Sequence, residues 1–99
     1  MISIDNILAK HKLICTQAQD LARERGLQYA DENDTLVSFE IAAKLVNKRP
    51  VDICLDLIGV KVARMARDIK NGIVPGDSIP DAVNYIIDLK VLAEEMQLG

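Results

Sequence analysis

Apolar side chains recur along this chain at spacings of three and four, the period of helices that bury one face. In the first run, Ile4, Leu8, Ile14, Ala18 and Leu21 mark the stripe, and Ile7, Cys15 and Ala22 widen it. The pattern predicts a helix from about Asp5 to Arg25, capped by Ser3 or Asp5 and stopped by Gly26. His11 and Lys12 cut a polar notch into it. The chain is then polar and aperiodic to Asp34, where Asn33, Asp34 and Thr35 form a capping cluster for a second helix ending near Asn47 and Lys48. Its apolar residues, Leu36, Val37, Phe39, Ile41, Ala42, Leu45 and Val46, occupy more than one face, which predicts burial against several neighbours.

Pro50 suits the first turn of a third helix. There Val51, Leu55, Ile58, Val62, Met65 and Ile69 alternate at four and three, the seam of a bundle or coiled coil. Gly59 within it predicts close approach of another helix, and Asn71 with Gly72 closes it. After a connection containing Pro75 and Gly76, Ser78 and Asp81 stand at capping-box spacing with Pro80 in the first turn of a fourth helix. Its stripe of Ile79, Ala82, Val83, Ile86, Leu89 and Ala93 runs to about Met96. The expected fold is all-α, one domain of about four helices.

Composition changes that picture in one respect. Ninety-nine residues suffice for one domain, and 49% of them are apolar although only 3% are aromatic. A small bundle has little interior for so much aliphatic side chain, so a homo-oligomer is expected. The net charge of −3, with no Lys/Arg run interleaved with aromatics, argues against a nucleic-acid partner. Cys15 and Cys54 are isolated and read as buried, reduced thiols of a cytoplasmic protein. The N-terminal residues show no basic region leading into an apolar one, so no secretory leader is expected. Asp52, Asp56, Lys61 and Arg64 interrupt the most apolar run, from Val51 to Met65, and exclude a membrane span there.

No nucleotide-binding, hydrolase or metalloprotease motif is present, and the lone His11 reads as a surface histidine. The chemistry lies in two polar strips beside the core faces. Lys61, Arg64 and Asp68 share one strip of the third helix, while Asp52, Asp56 and Arg67 fall on its solvent side. Asp81, Asn84 and Asp88 share one strip of the fourth helix, with Tyr85 at its edge. One reading leaves these as surface features, Arg64 pairing with Asp68 and Asp81 serving the capping box. The other sets Lys61 and Arg64 across a cleft from Asp81, Asn84 and Asp88, where the cations hold phosphate or the carboxylates hold magnesium. Asp81 and Asp88 lie about 10 Å apart along the axis. An ion would therefore need Asp77 with Asp81, or an acid of the second helix such as Glu40.

The order Arg25-x-x-x-Tyr29-x-Asp31, Phe39-x-Ile41-Ala42, Lys61-x-x-Arg64 and Asp77-Ser78-x-x-Asp81-x-x-Asn84-Tyr85 resembles a family of small phage-associated helical proteins. That family is distantly similar to the MazG-like nucleotide pyrophosphohydrolases. The resemblance spans about Ala18 to Leu92 and implies a four-helix oligomer handling a nucleotide or a nucleotide-derived ligand. On it, Lys61, Arg64, Asn84 and Tyr85 would line the ligand, and Asp77 and Asp81 would hold Mg2+. The chain departs from the pattern at Ala30, where the family has glycine, and in lacking the ExxE pairs with which the enzymes hold magnesium. Three readings follow: ligand binding without turnover, magnesium-dependent pyrophosphate hydrolysis, and a helical interaction module with no small ligand.

Overall fold

A computed structural model describes the backbone of residues 1–29 and 36–98 and the side chains of residues 1–25 and 36–97. Four helices account for nearly all of it: α1 (Ile4–Tyr29), α2 (Val37–Leu45), α3 (Pro50–Lys70) and α4 (Ser78–Leu98). Among the described residues there is no strand.

Local chemistry sets most of the boundaries. Ser3 opens α1, its Oγ accepting from the Asn6 N–H at 3.2 Å. The helix does not stop at Gly26 but continues to Tyr29. A glycine costs a helix only about 1 kcal/mol against alanine, and Leu27, Gln28 and Tyr29 are tolerable helix residues. The capping cluster Asn33, Asp34 and Thr35 lies outside the described residues, as do Ala30 and Asp31. Two helices end in the same way. After α2, Asn47 is left-handed (φ 55°), and the Lys48 N–H reaches back to the Ala43 carbonyl at 2.9 Å. After α3, Gly72 is left-handed (φ 72°), and the Ile73 N–H reaches the Asp68 carbonyl at 2.8 Å. Both are Schellman endings, which satisfy carbonyls the last turn would leave free. Pro50 starts α3 as expected, and Asp52 closes over that start by accepting from the Arg49 backbone N–H at 3.2 Å.

α4 is the central element. It packs on α3 and on α1, while α2 lies on α3. The core is small: Phe39, Val51, Cys54 and Leu92 are buried together, with Tyr85 and Leu89 against them. The faces differ from expectation in two places. On α2 only Phe39 and Ala43 are buried, and Leu45 is 81% exposed. A nine-residue helix touching its support through one i, i+4 face cannot cover the rest. On α3 the inner face is Val51, Cys54, Ile58, Lys61 and Met65, whereas Leu55, Val62 and Ile69 of the predicted seam are exposed. The helix is rotated to bring Lys61 inward. Gly59 is exposed, and a Cβ there would meet nothing within 4 Å, so the close approach it predicted does not occur among the described residues.

The first half of α1 is poorly covered, with Ile4, Ile7 and Leu8 exposed. The radius of gyration is 15.4 Å, against about 13 Å for a globular domain of this length.

Candidate functional site

Asp81 stands in the first turn of α4 and is the one buried charged residue among those described. A buried carboxylate is expensive unless paired. Lys61, reaching from α3, donates from Nζ to Asp81 Oδ2 at 2.9 Å, and its side chain is only 13% exposed. Arg25, near the end of α1, brings Nη2 to 2.9 Å from Oδ1. That contact is an ion pair without the angle of a hydrogen bond, since Oδ1 has no hydrogen-bond partner. One carboxylate thus ties three helices. One turn further along α4, the Asn84 amide donates to the Ala18 carbonyl at 2.9 Å, a second link between α4 and α1.

The predicted residues therefore come together only in part. Lys61 does face Asp81, but as a closed pair rather than across an open cleft. Asn84 is spent on Ala18. Tyr85 belongs to the core, its ring edge-on to Phe39 at 6.3 Å and its carbonyl accepting from the Cys54 thiol at 3.1 Å. Arg64 is exposed and has no ion-pair partner among the described residues, Asp68 included. Asp81 does not complete a capping box with Ser78, because Lys61 and Arg25 take its oxygens. Arg25, which the strip pattern left out, is 56 positions away and no spacing rule connects it to Asp81.

These carboxylates do not fit magnesium in a single chain. Both Asp81 oxygens face cations, Asp77 is exposed, and Glu40 is exposed on α2. Among the described residues no three His, Cys, Asp or Glu side chains stand close enough to hold an ion. An open apolar crevice of about 700 Å³ lies elsewhere, between the first half of α1 and Val83, lined by Ile7, Ile14 and Cys15. It contains none of the predicted ligand residues. His11, on its rim, is exposed as expected.

Two further groups are shifted by their surroundings. Burial raises the Asp88 carboxyl above its ordinary value. Burial, with the Asp88 charge adding to it, pushes the Cys54 thiol up to about 11. Cys15, expected to be buried, is exposed. In the native protein one thiol is therefore expected to react with a maleimide at neutral pH, and the second only after denaturation. The Cys54 shift also sets a direction with pH. Folded Cys54 keeps its proton where the unfolded thiol, near 9.0, has lost it, so stability should fall as pH rises from there toward about 11. Urea titrations across that window check it, and a Cys54→Ala variant should show a shallower slope, with the raised Lys48 ammonium beside Asp56 supplying part of what remains.

No helix among the described residues is long and apolar enough to cross a membrane. Compared with protein-family models, curated proteins and solved structures, the chain matches none.

Proposed function

We propose that the chain is a non-enzymatic helical module that works as a homo-oligomer. The observation that carries this reading is the amount of large aliphatic surface left in water. Exposed large apolar residues line α1, α3 and α4, among them Ile4, Leu8, Leu55, Val62, Ile69, Ile86 and Ile87, while among the described residues seven hydrophobic ones are buried. Large apolar surface left in water marks sites where another protein surface packs.

A second reading, binding of a nucleotide or nucleotide-derived ligand, is favoured by one observation. Arg25 and Lys61 share a single carboxylate, and Arg64 stands one helical turn from Lys61 with no partner among the described residues. Arg64 is thus a cation left open, toward which a phosphate could be drawn. The resemblance to phage-associated, MazG-like proteins points the same way. Arg64 would be the principal contact, since Lys61, Asn84 and Tyr85 are engaged internally. Pyrophosphate hydrolysis is the weaker alternative, because magnesium would need carboxylates supplied by a second copy. The free thiols support a reducing compartment, the cytoplasm, or a host's cytoplasm if the protein is phage-encoded.

Native mass spectrometry with magnesium and a mixture of nucleotides, cyclic dinucleotides included, tests these readings together. The expected result is a discrete oligomer. An intact nucleotide retained at a fixed ratio to subunits would establish the second reading, and phosphates shortened with time would establish hydrolysis. A bare monomer at all concentrations would overturn the proposal.

A further inference from the structure

A second face of α3, about a quarter turn from its core side, presents Leu55, Gly59, Val62, Ala66 and Ile69 at spacings of four, three, four and three. All five are exposed, the large ones by 51%, 55% and 66%. This is the spacing at which two helices interlock side chains. Gly59 adds a second observation. Glycine weakens a helix interior relative to alanine, and among the described residues nothing requires it, since a Cβ there meets no atom within 4 Å.

We propose that this face of α3 packs antiparallel on the same face of a second copy, the two helices crossing near Arg64. The proposal rests on the self-association reading and names its surface. Three features select this partner and this direction. The first is size: with that crossing, Ile69 falls opposite Gly59 of the second copy and Val62 opposite Ala66, so large meets small in these layers. Parallel pairing would set Gly59 on Gly59, leaving a gap in that layer. The second is charge. Asp56 and Lys70 lie on one edge of the seam, seven residues either side of Ala63. Antiparallel pairing brings each beside its opposite on the second copy, whereas parallel pairing puts this edge of the two copies on opposite sides of the seam and pairs neither charge. Lys48, 2.9 Å from Asp56 in its own chain, leaves the second carboxylate oxygen to Lys70. The third is continuity, because half-buried Ile58 and Met65 border both the seam and the core. Pairing would close over them and join the cores of two copies.

Sedimentation velocity on Gly59→Leu tests the surface. The chain has room for the side chain and leucine favours helix, so helical content and melting temperature should hold or rise. The dissociation constant of the dimer should rise at least about a hundredfold, from two buried overlaps per dimer. Direction is read by a short bis-maleimide on Ala66→Cys and Leu55→Cys, each in a Cys15→Ser background. An Ala66→Cys thiol would lie about 6 Å along the axis from its mate and a Leu55→Cys thiol about 27 Å. Cross-linking of Ala66→Cys alone is expected, and cross-linking through Leu55→Cys would overturn the antiparallel arrangement. A Gly59→Leu protein that remains dimeric overturns this face while leaving self-association standing. A parent protein that is monomeric throughout overturns both.

Discussion

Asp81→Ala is expected to destabilise the protein by about 3–5 kcal/mol, the usual cost of removing one partner from a buried ion pair. The loss comes less from the missing attraction than from what stays behind. Lys61 keeps an ammonium in a site where its side chain is 13% exposed, with no carboxylate to answer it. Arg25, at 41% exposure, can turn outward and contributes less. For a domain of this size, such a cost is a large part of total stability and should lower the melting temperature by about 15 °C or more. The double variant Lys61→Met with Asp81→Leu is the control. It removes both charges from the same space and should lie within about 1 kcal/mol of the parent. Chemical denaturation of the parent, the single and the double variants reads all three values. A single variant that loses less than about 1 kcal/mol would mean that the pair is solvated and that the three helices are held by packing alone.

Phe39→Ala should have the next largest effect, about 3 kcal/mol or more. Phe39 is the only phenylalanine of the chain, is buried, and carries the edge-on contact with Tyr85. It also anchors α2, which has only Ala43 as a second buried contact. A nine-residue helix is too short to persist undocked in water. Removing the ring should therefore unwind α2 as well as leave a cavity. Amide exchange over residues 37–45 should accelerate far more than over α3, with a matching loss of helical circular dichroism. Uniform acceleration across the chain would show instead that α2 has no independent melting. Phe39→Leu should keep most of the docking at smaller cost.

The helix boundaries that could be read ahead are those fixed by backbone chemistry. Pro50 has no N–H to lose at a first turn, and Gly72 takes the left-handed conformation the chain needs to leave α3. Gly26 carried no such requirement, and α1 passes through it. The face of α3 was legible only in part, for an energetic reason. Apolar periodicity reports every surface that avoids water, inside one copy or between copies. In α3 the stripe of Leu55, Val62 and Ile69 is more regular than the true inner face, which contains a lysine. Placing residues at 100° steps did put Lys61 on the strip that meets α4, and the pair with Asp81 follows from that. Arg25 and Asn84 were a different problem. Their partners are decided by how α1 crosses α4, which no local pattern encodes.

That crossing has a consequence for the order of events as the chain is made. Of the four helices α1 is made before the others, yet among the described residues its only neighbour is α4, made after the other three. The hydrogen bond from Asn84 to the Ala18 carbonyl spans 66 positions, and the contact of Arg25 with Asp81 spans nearly as many. Closing so long a loop is slow compared with docking α3 on α4, which follow one another directly. Until α4 is made, the stripe of apolar side chains along α1 therefore has none of the other described helices to cover it. The polar notch at His11 and Lys12, which looks like an interruption in the finished stripe, breaks up that surface during the interval when it is most open to the wrong partner.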